Sequence, residues 1–270
     1  MNQSTGGGVP ASALGKTSAP TSLRGCVAVV TGGAAGIGQA VVQVLLENGV
    51  HVGAIDLSDK GVPDGATALV ADVRNQAALK DVIGAFGERH GRIDILVNNA
   101  GVSFVGAIED GNEEDWHRVY DINVMGMMRA TRAALPYLRR SQVGAIVNMS
   151  SCTAVNGIAQ RALYSATKGA VHSMTLAMAA DLISEGIRVN GVAPGTVDTP
   201  FMAELAARAA DPAAKRAEFE ARQPTGKMVS PREVGEAVAY LASPAARSTV
   251  GTILQLDGGM LPLRVAGVPR

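Results

Sequence analysis

A single α/β domain built on a doubly wound parallel sheet is the fold class this sequence predicts. Three observations carry that expectation. Short apolar runs such as CVAVVT, IDILVNNAG and GAIVNMSS recur along the chain, nearly continuous as in parallel strands covered on both faces. Stretches of helical length and period separate them. The first run passes directly into a glycine cluster, GGAAGIG, and then a helix. Such alternation gives an open sheet of about seven parallel strands with helices on both faces. Ligands of these sheets lie beyond the carboxyl ends of the strands.

The chain has 270 residues, enough for one large core. Residues 1–21 are rich in Gly, Ser, Thr and Pro and are expected to be a disordered tail, with residues 22–270 forming the domain. Lys+Arg and Asp+Glu both number 24, which gives no electrostatic reason to expect nucleic acid or a membrane surface as partner. No window is apolar for long enough to span a bilayer. Cys26 and Cys152 form no C-x-x-C, so a reducing, cytoplasmic setting is expected. His51, His90, His117 and His172 are scattered without ligand spacing, and no metal is expected.

Taken in order, Cys26–Thr31 is the first strand, and QAVVQVLLENG, closed by Gly49, is the helix after the glycines. Glycines let backbone approach a pyrophosphate, and the helix start offers unpaired N–H groups. The spacing is T-G-x-x-x-G-x-G over Thr31, Gly32, Gly36 and Gly38. The second strand, HVGAIDLS, carries Asp56. An acid there accepts from both ribose hydroxyls and repels a 2′-phosphate, which argues for NAD over NADP. The third strand, ATALVADV, carries Asp72 and Val73, and a helix is expected over Gln76–His90. The fourth strand ends in Asn98-Asn99-Ala100-Gly101, whose amides hold neighbouring loops or a ligand. One long helix is expected from Glu113 to about Arg139, with Asn123 inside it and a kink at Pro136. After GAIVNMSS come the helix ALYSATKGAVHSMTLAMAADL and the strand IRVNGVAPG. An Ala-rich helical insertion over about 199–224 follows. Ser230 with Glu233 then opens a helix through a capping box, and Thr252–Leu256 is the last strand.

Tyr164 and Lys168 stand four apart in the helix that follows GAIVNMSS, so they share one face. A free tyrosine has a pKa of about 10. Taking a proton from an alcohol near neutral pH needs that value lowered by roughly 3 units, and a neighbouring ammonium supplies part of the change. Ser151, at the end of the preceding strand, can reach the same point.

These motifs resemble the short-chain dehydrogenases/reductases over about residues 22–260. The matching pieces are TGGAAGIG at 31–38, Asp56, Asp72-Val73, NNAG at 98–101, Asn123, Ser151, YSATK at 164–168 and PGTVDT at 194–199. The resemblance implies a Rossmann-like fold and hydride transfer between a secondary alcohol or ketone and NAD(H). It makes Tyr164 the acid/base, Lys168 its modulator and ribose ligand, Ser151 the partner of the substrate oxygen, and Asn123 the holder of a relay water. Gly32, Gly36, Ile37 and Gly38 would line the pyrophosphate, Asp56 the adenine ribose, and Asp72 with Val73 the adenine. Asn99, Ala100 and Gly101 would contact the middle of the cofactor, and Pro194, Gly195, Val197 and Thr199 the nicotinamide. It also implies a homotetramer packed through the Asn123 and Tyr164 helices.

The C-terminal half is similar to a narrower branch, the cytosolic 3-hydroxybutyrate-type and 2-keto-3-deoxy-L-fuconate-type dehydrogenases, which hold a carboxylate with arginines. Arg161 and Arg222 match two of those arginines, while Glu204 and Leu205 stand where some members carry a third. A hydroxy- or sugar-acid substrate is therefore expected, with Gln160 and Gln223 as further hydroxyl ligands. The alternatives are a 3-oxoacyl-type or neutral-alcohol enzyme and, outside catalysis, an NAD-binding regulatory protein.

Overall fold

A computed structural model describes residues 21–265. The expected tail, residues 1–21, lies outside the described residues except for Thr21, as do residues 266–270. The strands are β1 (Val27–Thr31), β2 (His51–Asp56), β3 (Thr67–Val70), β4 (Ile95–Asn98), β5 (Ala145–Met149), β6 (Arg188–Pro194) and β7 (Ile253–Leu256). They form one seven-stranded sheet in the order β3-β2-β1-β4-β5-β6-β7, parallel throughout. The helices are α1 (Gly36–Glu47), α2 (Gln76–His90), α3 (Glu113–Tyr120), α4 (Gly126–Leu138), α5 (Ala162–Leu182), α6 (Pro200–Ala207), α7 (Pro212–Ala221) and α8 (Pro231–Ala242).

Alternate side chains of β1 enter different cores. Ala28 and Val30 pack with Val41, Leu45, Val234 and Leu241 of α1 and α8. Val27 and Val29 pack with Ile83, Ala134 and Leu182 of α2, α4 and α5. The strand is buried along its whole length, which is why it reads as an unbroken apolar run. The chain crosses to the other half of the sheet between β1 and β4, and that switch point opens a crevice at the strand ends.

Several boundaries differ from the expectation. β3 stops at Val70, so Asp72 and Val73 lie in the turn beyond it. α1 begins at Gly36, which makes Gly36, Ile37 and Gly38 its first turn rather than part of the loop. The single helix expected from Glu113 to Arg139 is broken by a π-helical turn, Asp121–Met125. Asn123 lies in this turn, where its amide pairs with the backbone of Val102. The expected helical insertion consists of two helices, α6 and α7. Asp211 caps the Ala214 N–H and Pro212 takes the first position of α7, a start signal that ends α6.

Candidate active site

The glycine turn after β1 is shaped by steric limits. Gly32 and Gly36 have φ of +66° and +54°, which favour glycine. A Cβ on Gly38 would fall 1.8 Å from the Gly32 carbonyl oxygen. Asn99 holds this turn from β4. Its Nδ2 donates to the carbonyls of Thr31 (3.0 Å) and Gly32 (3.1 Å). Thr31 Oγ1 in turn accepts from the backbone N–H groups of Asn99 and Ala100, each at 3.0 Å. The Asn99 side chain is therefore engaged in shaping the cradle, and Thr31, which the sequence reading left without a role, is the bolt between β1 and β4.

No side chain caps the start of α1, so its first N–H groups face the crevice with their partial positive charge. Asp56 flanks them and accepts from Ala34 N (3.0 Å) and Leu57 N (2.8 Å). Thr199 lies over the same turn: a Cβ on Gly36 would sit 3.6 Å from its Cγ2. A cradle that only glycine permits, an uncapped helix start and an acid beside it fit the diphosphate and ribose of a dinucleotide. The Ile37 side chain is partly buried against the core. Asp72 is clamped by Arg74, whose Nη2 lies 2.6 Å from Oδ2, and this pairing holds its carboxyl below the usual range. Val73 packs under Gly126. Pro194 ends β6, the Gly195 N–H donates to Leu256 O (3.0 Å), and Val197 bridges to Val229.

Ser151, Tyr164 and Lys168 converge at the ends of β5 and α5. Ser151 Oγ accepts from Thr153 N (3.2 Å) and Thr153 Oγ1 (3.1 Å), which leaves its own hydrogen to donate. Lys168, 5% exposed, donates from Nζ to Met149 O at 2.8 Å and stands 5.7 Å from the centre of the Tyr164 ring. The electrostatics run opposite to the expectation of an already acidic phenol. Burial pushes Tyr164 up to about 12, against a hydrogen bond with Ser151 and the charge of Arg161, which pull it down. Burial pushes Lys168 down to about 8. Without further charge in the cleft, desolvation outweighs Ser151 and Arg161, and the phenol keeps its proton.

Asn123, 3% exposed, is fully engaged through its side chain. Its Oδ1 accepts from Val102 N (2.8 Å), and its Nδ2 donates to Val102 O (2.9 Å) and Thr167 Oγ1 (3.1 Å). Thr167 Oγ1 donates on to Tyr164 O. Both amide hydrogens are thus taken, so a relay water at Asn123 would have to donate to Oδ1 or to the backbone carbonyl. It braces α5 against the loop after β4, where Gly101 lies against it. No local pattern marks Thr167 as the middle of that brace.

On the substrate side, Arg161 is half-buried and, among the described residues, forms no ion pair with a carboxylate. Burial and the nearby positive charge of Arg222 both press its pKa down. Arg222 lies over the Phe219 ring at 4.7 Å and donates to Glu218 at 2.9 Å. Gln160 is exposed and holds φ at +58°, a conformation that costs a non-glycine residue and recurs at functional sites. Its carbonyl accepts from Gly106 N. A cleft of about 560 Å³ opens beside Gln160 and Arg161. Gln223 does not join them: it is 1% exposed, and its amide is bonded to backbone on all sides. Buried Cys152 lies beside Ser151, its Sγ 3.7 Å from Met260 Sδ, and burial pushes the thiol up to about 11. Among the described residues, no cluster of His, Cys, Asp or Glu could hold a metal, and no helix is long and apolar enough to cross a membrane.

A dinucleotide cradle opening onto a tyrosine, a serine and a lysine defines an oxidoreductase of the nicotinamide-dependent class. Comparison with known proteins agrees. A family model described as enoyl-(acyl carrier protein) reductase matches residues 32–261. Cis-4-hydroxycyclohexanecarboxylate dehydrogenase of Sinomonas cyclohexanicum is 40% identical over 244 residues, 86% of this chain and 95% of that protein. 2-Keto-3-deoxy-L-fuconate dehydrogenase of Xanthomonas campestris is 35% identical over 273 residues, 96% of this chain and 90% of that protein. The ligand-free structure of Thermoplasma acidophilum aldohexose dehydrogenase superposes with a TM-score of 0.86 at 33% identity, covering 92% of this chain and 98% of that one. The chain belongs to the short-chain dehydrogenase/reductase family and is a dehydrogenase acting on CH–OH groups.

Proposed function

We propose that this protein interconverts a secondary alcohol and its ketone in a hydroxylated carboxylic acid, with NAD as the cofactor. The observation that supports this reading is Arg161, whose charge acts on Tyr164 and which has the guanidinium of Arg222 close by. Arg222 is already held by Glu218 at 2.9 Å, whereas Arg161 has no carboxylate partner among the described residues, and a forked guanidinium group left so suits a substrate carboxylate. Two relatives are named for acids of this kind, one a hydroxycyclohexane carboxylate and the other a deoxy sugar acid.

A bound nicotinamide cofactor would supply the hydride acceptor for the carbinol carbon in oxidation and the donor in reduction. Gly32, Gly36, Gly38 and the start of α1 would hold the diphosphate. Asp56 would take the adenine ribose, and its carboxylate repels a 2′-phosphate, which favours NAD. Ser151 donates its remaining hydrogen to the substrate oxygen. As the phenolate, formed once cofactor and substrate are bound, Tyr164 Oη would take the hydroxyl proton in oxidation, and as the phenol it would give it back in reduction, with the charges of Arg161 and Lys168 favouring the phenolate. A 3-oxoacyl reductase would usually prefer NADPH, so Asp56 weighs against that reading. We also place the protein in the cytoplasm, consistent with its two buried free cysteines. We expect it to be a homotetramer packed through α4 and α5, where Met125, Leu176 and Ile183 are exposed and His172 Nδ1 is buried without a partner.

The test is a panel of hydroxy and sugar acids assayed with NAD and with NADP. For an acid that turns over, Arg161→Ala and Arg222→Ala are expected to raise KM about tenfold or more, because each removes a hydrogen bond to a charged group. Tyr164→Phe should abolish turnover while NADH still binds. An unchanged KM in both arginine variants would refute the carboxylate reading.

A further inference from the structure

The insertion that carries Arg222 is joined to the segment leaving β6 by contacts that none of the roles above uses. Gln223 is the central one. Its Oε1 accepts from Thr196 N at 3.0 Å. Its Nε2 donates to Phe219 O at 3.0 Å and to Lys227 O at 3.3 Å. One amide therefore holds the end of α7, the turn that leaves the insertion and the first N–H of the Thr196–Thr199 segment. The turn after β7 closes over it: a Cβ on Gly258 would lie 2.5 Å from Thr225 Oγ1 and 2.9 Å from Gln223 Cβ. A second tie lies on the surface. Arg216 of α7 grips Asp198 bidentately, at 3.0 and 2.7 Å. Thr199 then starts α6 as its cap. Both ends of the four-residue segment are fastened to the insertion helices.

We infer that Gln223 is a positioning residue that makes α6, α7 and Thr196–Thr199 a single mechanical unit, so that cofactor contact at the segment and the placing of Arg222 are set together. The inference rests on the reading of Thr196–Thr199 as cofactor-facing. A side chain with every polar atom tied to backbone transmits displacement with little slack, whereas an apolar side chain of similar length leaves Thr196 N and Phe219 O free to move separately. Substrate and cofactor affinity are then coupled, because whatever orders one end of the unit orders the other.

The experiment is hydrogen–deuterium exchange of the full chain with and without NADH, with NADH binding scored separately by its fluorescence. In the unsubstituted protein NADH is expected to slow exchange both at residues 196–199 and across residues 212–221 of α7. In Gln223→Met, protection at 196–199 should remain while that at 212–221 falls to the ligand-free level, and the NADH Kd should rise about three- to tenfold, as for one lost hydrogen bond. Asp198→Asn, at an exposed position, is expected to reduce the protection of 212–221 in the same direction and provides the test if Gln223→Met does not fold. Undiminished protection of 212–221 in the folded variant, or none there in the unsubstituted protein despite NADH fluorescence, overturns the coupling alone. Absence of the fluorescence signal in the unsubstituted protein overturns the cofactor reading and the inference with it.

Discussion

Replacing Lys168 by methionine should stabilise the cofactor-free protein at neutral pH while removing its activity. Lys168 is 5% exposed, and burial lowers its pKa from 10.5 to about 8. That gap corresponds to about 3 kcal/mol of folding free energy lost wherever the group is charged in both states. Below pH 8 the ammonium is protonated whether the chain is folded or not, so the whole penalty applies. Between about pH 8 and 10.5 the unfolded chain binds more protons, and stability contributed by this group rises with pH. Above that window the penalty is gone. Methionine fills similar volume without charge, but leaves the Met149 carbonyl without the donor it has at 2.8 Å, a loss of about 1–2 kcal/mol. The net gain at pH 7 is therefore about 1–2 kcal/mol, or about 2–4 °C in Tm for a chain of this size. The assay is thermal unfolding from pH 6.5 to 10.5, read as the difference between variant and unsubstituted protein. Cys26 and Cys152, each pushed up to about 11, and Tyr164 oppose the slope above about pH 9, but they are common to both proteins and cancel in the difference. Alcohol oxidation should fall at least about 100-fold. A variant less stable at pH 7, or a stability gap that does not move from pH 8 to 10.5, would refute the reasoning.

Two substitutions test the cofactor cradle. Gly38→Ala places its Cβ 1.8 Å from Gly32 O and 2.5 Å from Asn99 Nδ2. The nearer atom is backbone and cannot turn aside, so a loss of about 3 kcal/mol and of NADH fluorescence is expected. Gly157→Ala, where nothing lies within 4 Å of the added atom, should leave Tm and NADH binding unchanged. Asp56→Ser removes the carboxylate that accepts from Ala34 N. The ratio of kcat/KM for NAD to that for NADP should fall about tenfold or more, chiefly through a higher KM for NAD; an unchanged ratio would show that Asp56 does not select the cofactor.

The parts legible in the sequence were those fixed by neighbours along the chain. Helix α2 runs from Gln76 to His90 as expected because Asn75 caps its start and Gly91, at φ +76°, ends it. The capping box of Ser230 and Glu233 forms for the same reason. What escaped was set by partners distant in sequence. Asn123 opens a π turn because its amide meets the Val102 backbone 21 residues away. Gln223 reads as a polar residue beside a substrate arginine, yet its acceptor is committed to Thr196, 27 residues away. The break between α6 and α7 is a different case, because Asp211-Pro212 is a local helix-start signal.

Tyr164 shows most clearly why motif spacing and mechanism are separate claims. Four residues between a phenol and an ammonium establish that the two can meet on one face, and they do. The sign of the resulting pKa depends on how much water is removed around them, which spacing does not encode. Here desolvation raises the phenol and lowers the ammonium, so the ligand-free pair keeps its proton on oxygen. Ser151 and Arg161 already pull in the other direction. A carboxylate bound at Arg161 would neutralise one of those two influences and make the phenol harder to ionise. Arg222 does not restore that charge as it stands, because its guanidinium is already paired with Glu218 at 2.9 Å. A single arginine could hold an acid substrate, but it would do so at the expense of the base that must act on it.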